Sequence, residues 1–297
     1  MRKFIKHITL FTTLSILIAV SALFILIKYY GPYIDPFYKR FTDYHRGGLI
    51  IGTSRAAQAV EPSCFGDSTY NFSFTVKLSP FDSTYFKLIK KYHPISTYDS
   101  QRIHIISVDP WGLWTYQHQP EEMINSSFEK LLTAHVSNPN YYYIYHFVPL
   151  LKAFGHAIKS KHFVNSGGRY VVTMDSAKIN TNDAFIKNKI AFYTRKKEYL
   201  EGYLSQKRLN ILNQIIDYLG KDGKVVLVRL PVHQQMYEIE TAIAPEFDQL
   251  MQATALQKQV QYLNLMPYRD QYLYTDGNHI WNGHSMRLSE RIREGIK

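Results

Sequence analysis

Cysteine is nearly absent: Cys64 is the only one in 297 residues. No intrachain disulfide can form, so a hydrophobic core has to hold the chain together, and 297 residues suffice for a substantial one. There is no internal repeat and no low-complexity tract, which excludes a solenoid or an array. Nor is there a basic helix or a base-stacking motif. The charge is +11, from 35 Lys plus Arg against 24 Asp plus Glu. It is spread along the chain, which argues against a nucleic-acid partner and for anionic surroundings such as a lipid headgroup layer or an acidic polymer. The 12 histidines are scattered. His279 and His284 lie five apart with no third ligand nearby, so neither a metal nor another cofactor is expected.

Long apolar runs are also missing, with one exception. Arg2, Lys3 and Lys6 precede a run from Ile8 to Ile27 without a charge, about 30 Å as a helix and enough to span a bilayer. Ala19-Val20-Ser21 resembles a cleavage site, but Leu23 to Ile27 continue the apolar run past it, which favours an uncleaved anchor. The expected organisation is a cytoplasmic stub and transmembrane anchor (1–30), a juxtamembrane linker (31–46) and one α/β domain (47–297). The basic stub favours the amino terminus inside, leaving a single-pass protein whose domain faces the periplasm or cell exterior.

The chain is organised around Gly48-Leu49-Ile50-Ile51-Gly52-Thr53-Ser54. Leu49 to Ile51 read as a buried strand between glycines, and a helix-forming segment follows Ser54. That position, at a strand's carboxyl end and a helix's amino end, is where open α/β sheets bind ligands. A serine there is either a helix cap or a nucleophile, if a base reaches it. The candidate base lies far away, in Thr275-Asp276-Gly277-Asn278-His279. Asp276 could orient the imidazole of His279, whose other nitrogen would take the serine proton. Asp-Gly is also common turn chemistry, and His279 could be an ordinary loop histidine.

Between these blocks, strands are expected at 69–74, 102–108, 224–230 and 260–263. Helices are expected from Ser79-Pro80, at 195–219 and 245–257, and near 284–296. Strands alternating with helices argue for a parallel sheet covered on both faces. Residues 113–192 read as a mostly helical insertion or cap, with helices at 121–136 and 141–158. Arg55 and Arg229, both at strand ends, are candidate anion clamps or members of structural salt bridges. Asn71 is a candidate polar group of the site or a strand-end residue.

The two end blocks together resemble the SGNH (GDSL-like) hydrolase superfamily, in which Gly-x-Ser follows the first strand and D-x-x-H precedes the last helix. An α/β-hydrolase elbow would need a glycine where Ala56 stands. With the apolar amino terminus, GTSRA at 52–56, YNFSF at 70–74, SVDPW at 107–111, VRLPV at 228–232 and DGNHIWNG at 276–283, the chain looks like the membrane-anchored branch. That branch contains the teichoic acid D-alanylation protein and relatives of alginate O-acetyltransferase partners. The match covers 47–111 and 224 to the end.

The resemblance implies a flavodoxin-like parallel sheet and a Ser54–His279–Asp276 triad. The family's second block gives a backbone N–H to the oxyanion; its match here is Ser73, with Asn71 beside it. The third normally gives an asparagine, replaced here by Asp109, as the membrane-anchored relatives also lack it. The activity implied is that of a serine esterase or O-acyltransferase working through an acyl-enzyme. The implied partners are an envelope or exported polysaccharide, an acyl donor and an integral-membrane acyltransferase. The alternative is a non-catalytic polysaccharide-binding or assembly factor that keeps the fold, since Asp109 would repel an oxyanion.

Overall fold

The computed structural model describes residues 1–35, 37–73, 78–115, 127–147, 162–175, 179, 183–195 and 201–297. The first helix, α1 (Arg2–Ile34), contains a stretch, Arg2–Tyr29, long and apolar enough to cross a membrane. Phe4, Leu10, Phe11, Leu14, Ile16 and Leu17 all project into the surroundings rather than into a core. So large an apolar surface marks contact with something other than water. Only near its end does α1 meet the domain, through buried Ile27 and contacts to Tyr38–Phe41 and His162–Val164. The segment after it is no loose tether: Tyr38 and Phe41 are buried, and Phe41 packs on Phe72, Tyr92 and Tyr143.

Five parallel strands form the sheet: β1 (Leu49–Ile51), β2 (Tyr70–Asn71), β3 (Ile103–Ser107), β4 (Lys224–Arg229) and β5 (Gln261–Asn264). Their order is β2-β1-β3-β4-β5, the flavodoxin-like arrangement. Ile50 pairs with Ile105, Ile105 with Val226, and Val226 with Gln261. Successive side chains leave a strand on opposite faces, and the two cores divide accordingly. Leu49, Ile51, Ile106 and Leu227 meet α3 (Ser83–Tyr92), α5 (Gln206–Leu219) and α7 (Phe247–Lys258). Ile50, Ile105, Val226 and Val228 meet α2 (Ser54–Ala59) and α8 (Ser285–Gly295). Two further helices, α4 (Asp183–Arg195) and α6 (Gln234–Ile243), touch each other.

The sheet shortens several expected elements. β2 has two residues rather than six, and α3 starts at Ser83, where Asp82 accepts the Thr84 N–H at 2.7 Å, not at Ser79-Pro80. The expected helix 195–219 begins only at Gln206. Ser205 caps it by accepting the Arg208 N–H at 3.2 Å, and Tyr203–Leu204 instead pair antiparallel with Trp114–Thr115. Gly202 permits that approach, because a Cβ there would lie 2.3 Å from the Trp114 Nε1. Segment 113–192 is therefore not simply helical where it is described. Besides Tyr141–Phe147 and α4 it holds a second antiparallel ladder, His162–Val164 with Tyr170–Val172. The expected helix 121–136 is described only from 127, as a short 3-10 helix, Ser127–Leu132. Residues 121–126 and 148–158 lie outside the described residues.

Candidate active site

The strand order reverses between β1 and β3, and the carboxyl ends of those strands carry Ser54 and Asp109. Gly52 makes the turn out of β1 possible by close approach: a Cβ there would come within 2.7 Å of the Ser107 Cβ and 2.8 Å of the Ala56 Cβ. Thr53 occupies the cap position of α2 without a side-chain capping bond. Ser54 is thus the first helical residue, and its hydroxyl is not the cap. It faces His279, with Oγ 2.7 Å from Nε2.

The loop 274–280 delivers the imidazole. Tyr274 and Ile280 form an antiparallel bridge, and the Thr275 N–H donates to the His279 carbonyl at 2.9 Å. Gly277 takes φ +81°, which a side chain disfavours. Asp276 Oδ1 accepts the N–H groups of Asn278 and His279, each at 3.0 Å. The same carboxylate lies 3.0 Å from the His279 Nδ1. Asp276 is therefore both turn residue and imidazole orienter, because the turn itself aims the ring. A carboxylate only accepts, so Nδ1 carries the proton and Nε2 is left to accept from Ser54. Burial alone would raise the Asp276 pKa. The hydrogen bond from His279, the histidine's charge, the Lys189 ammonium and the Asn278 N–H together hold it below the usual carboxylate range.

Arg55 and Arg229 sit near this constellation but not as open clamps. Both are buried and share one carboxylate, that of Glu240 on α6. The Arg55 Nε donates to the Asn278 Oδ1 at 2.9 Å, and its Nη2 pairs with Glu240 Oε1. Arg229 reaches Glu240 Oε2 at 3.2 Å and Asp248 at 2.6 Å. Burial would lower both guanidinium pKa values, but the Glu240 charge, together with Asp109 for Arg55 and Asp248 for Arg229, more than offsets it. The salt-bridge alternative is the one observed, and its effect on the site is positional: Arg55 ties the residue beside His279 to α6.

Asn71 and Ser73 are likewise engaged inside the fold. The Asn71 amide donates to the carbonyls of Ala56 and Val60, at 2.8 and 3.0 Å, and accepts the Ser73 N–H at 3.1 Å. Neither the Asn71 amide nor the Ser73 N–H is left for an oxyanion. The amide serves instead the end of α2, adding a second donor to the Ala56 carbonyl, which already accepts the Val60 N–H, and meeting the carbonyl of Val60, the residue after the helix. Asp109 is similarly committed, accepting the Gly112 N–H at 2.9 Å and the Thr53 hydroxyl at 2.7 Å.

Several residues around the site were not singled out from sequence. Lys189 on α4 lies 3.5 Å from Asp276 Oδ2, and Tyr193, one turn on, packs on Trp111 at 4.6 Å. Trp111 in turn donates to Glu240 at 3.0 Å. Arg169 fastens the loop before it to the site's flank, bonding Glu61, the Gln58 carbonyl, Asn282 and Ser285. A spacing signal existed for Glu240 alone, which stands at i+4 from Met236 on one buried helix face.

His93, His104 and Asp222 bring three ligand-type atoms within 4.8 Å of one another at the opposite end of the sheet. The donor set suits a metal poorly. The His104 Nδ1 accepts the Leu49 N–H at 3.2 Å, which leaves the ring proton on Nε2. Asp222 is already bonded by Arg102, Ser96 and His93.

No protein-family model matches the chain, and no curated protein is a significant match.

Proposed function

We propose that the chain is a membrane-anchored serine esterase or O-acyltransferase of the SGNH type. Its domain faces the periplasm or cell exterior and acts on an envelope or exported polysaccharide. The observation that carries this reading is the unbroken relay from Asp276 through His279 to the Ser54 hydroxyl, with its last link at 2.7 Å. His279 removes the Ser54 proton as Oγ attacks an ester carbonyl. Asp276 stabilises the imidazolium that forms, and the alcohol leaves with the proton that His279 returns. The acyl-enzyme then passes its acyl group to water or to a sugar hydroxyl. The Ser54 N–H, at the start of α2, is the donor available to the developing oxyanion. Resemblance adds an integral-membrane acyltransferase as the partner that supplies acyl groups.

A non-catalytic binding or assembly factor is the second reading, and one observation favours it: the donors of Asn71 and Ser73 are consumed within the fold. Labelling by a serine-directed fluorophosphonate separates the two. Signal in the wild type that disappears in Ser54→Ala supports the enzyme; no signal in either supports the binding factor.

A further inference from the structure

A second polar site lies at the foot of α1. A cavity of about 280 Å³ opens there, lined by residues that include Lys28, Lys39, Asp43, His45, Tyr70 and Ser166. Tyr70 pairs with Leu49, the first residue of β1, so the cavity flanks the end of the sheet opposite Ser54. Lys28 belongs to the apolar stretch Arg2–Tyr29 and is next to its last residue. With α1 in a bilayer its ammonium sits at headgroup depth.

The lining is cationic: two ammonium groups against the single carboxylate of Asp43. Among the described residues neither lysine has an acidic partner within ion-pair distance, while Asp43 already accepts from Thr42 at 3.4 Å. A second and independent feature is the Tyr70 hydroxyl. The ring is fixed, stacked on His45 at 3.7 Å and backed by Gly168, where a Cβ would come within 2.6 Å of it. Yet the hydroxyl is buried and has no hydrogen-bond partner among the described residues. Burial pushes its pKa up, so it is a donor without an acceptor, a costly state that a bound oxyanion would relieve.

We propose that this cavity binds the phosphate of an anionic phospholipid headgroup, with Lys28 and Lys39 supplying the charge and the Tyr70 hydroxyl a hydrogen bond. A zwitterionic headgroup brings its own cation and complements the net positive lining less well. A lipid held there would join the end of the span to β2 and fix the attitude of the sheet over the membrane.

The test uses the full-length chain in nanodiscs of phosphatidylglycerol and phosphatidylcholine in equal parts, with retained lipids counted by native mass spectrometry after release. Wild type should keep phosphatidylglycerol preferentially, and K28Q/K39Q should lose roughly fivefold of that preference per lysine. Tyr70→Phe should weaken it several-fold without shifting Tm. Equal retention of the two lipids, or an unchanged preference in K28Q/K39Q, overturns the proposal. So does displacement by millimolar inorganic phosphate, which would assign the site to a soluble anion. Failure of the wild type to float with vesicles of the same composition overturns the membrane placement on which the proposal rests.

Discussion

The Arg55 guanidinium and the Glu240 carboxylate form a buried ion pair next to Ser54, with side chains 4% and 0% exposed. Glu240 also neutralises Arg229 and accepts from Trp111. Glu240→Gln would leave two buried guanidinium groups facing a neutral amide. Removing one partner of such a pair costs about 3–5 kcal/mol, and denaturant unfolding should register a loss of that order. A change below about 1 kcal/mol would mean the network is open to water and does not position Asn278.

Asp276→Asn separates the turn from the relay. An asparagine Oδ1 still accepts the N–H groups of Asn278 and His279, so the turn should hold, while losing the carboxylate that His279 and Lys189 stabilise should lower Tm. Its amide would face the His279 Nδ1, however, and drive the ring proton to Nε2, where it cannot take the serine proton. Fluorophosphonate labelling should fall about 10⁴-fold, by the logic of a triad in the wrong tautomer. Labelling at the wild-type rate would remove Asp276 from the mechanism.

The convergence of Ser54, His279 and Asp276 was legible because each stands at a telling place: a serine between a strand and a helix, and an acid three residues before a histidine in one loop. What stayed hidden were partners supplied by distant segments. Nothing near Arg55 announces Glu240, which lies 185 residues on. No helix was expected at 234–243, so the sequence left the choice between anion clamp and salt bridge open for Arg55. Asn71 read as a site residue because it stands at a strand end near the serine. Its actual partners are the carbonyls of Ala56 in α2 and of Val60 just after it, fifteen and eleven residues back in the chain. The parallel sheet followed from alternating strands and helices, and its flavodoxin-like order was implied by the resemblance alone. The ladders at 114–115 and 162–172 did not, since pairs two or three residues long leave no period to detect.

Lys189 should tune the relay. Its ammonium, 3.5 Å from Asp276, opposes a second positive charge on the imidazole. Lys189→Gln should therefore favour the imidazolium and move the acid limb of the labelling rate to higher pH. For a partly exposed charge the displacement is roughly half a unit to one unit. Lys189→Arg should restore the wild-type profile, and high salt should shrink the difference between wild type and Lys189→Gln. An unchanged limb in Lys189→Gln would make the contact incidental.

Acid should destabilise the fold well before its carboxylates titrate. Burial pushes the His45 imidazole down to about 4 and that of His104 to about 3, and lowers His93 as well. In the unfolded chain each titrates near 6.5. Below that pH the unfolded state binds protons that the folded state refuses, so stability is full above about pH 7 and falls as pH drops toward 4. Each group contributes a slope of up to about 1.4 kcal/mol per pH unit in that window. Asp276 and Asp222 have the opposite displacement: their pKa values are depressed, so their contribution persists down to about pH 4 and is lost only below it. Between about pH 6.5 and 4.5 the loss therefore comes from histidines, opposed by Asp35, whose carboxyl pKa is raised by burial. His104→Asn keeps an acceptor for the Leu49 N–H and removes one titrating ring. Urea unfolding of this variant across the interval should show a shallower loss than wild type. Equal slopes would place the loss on other groups.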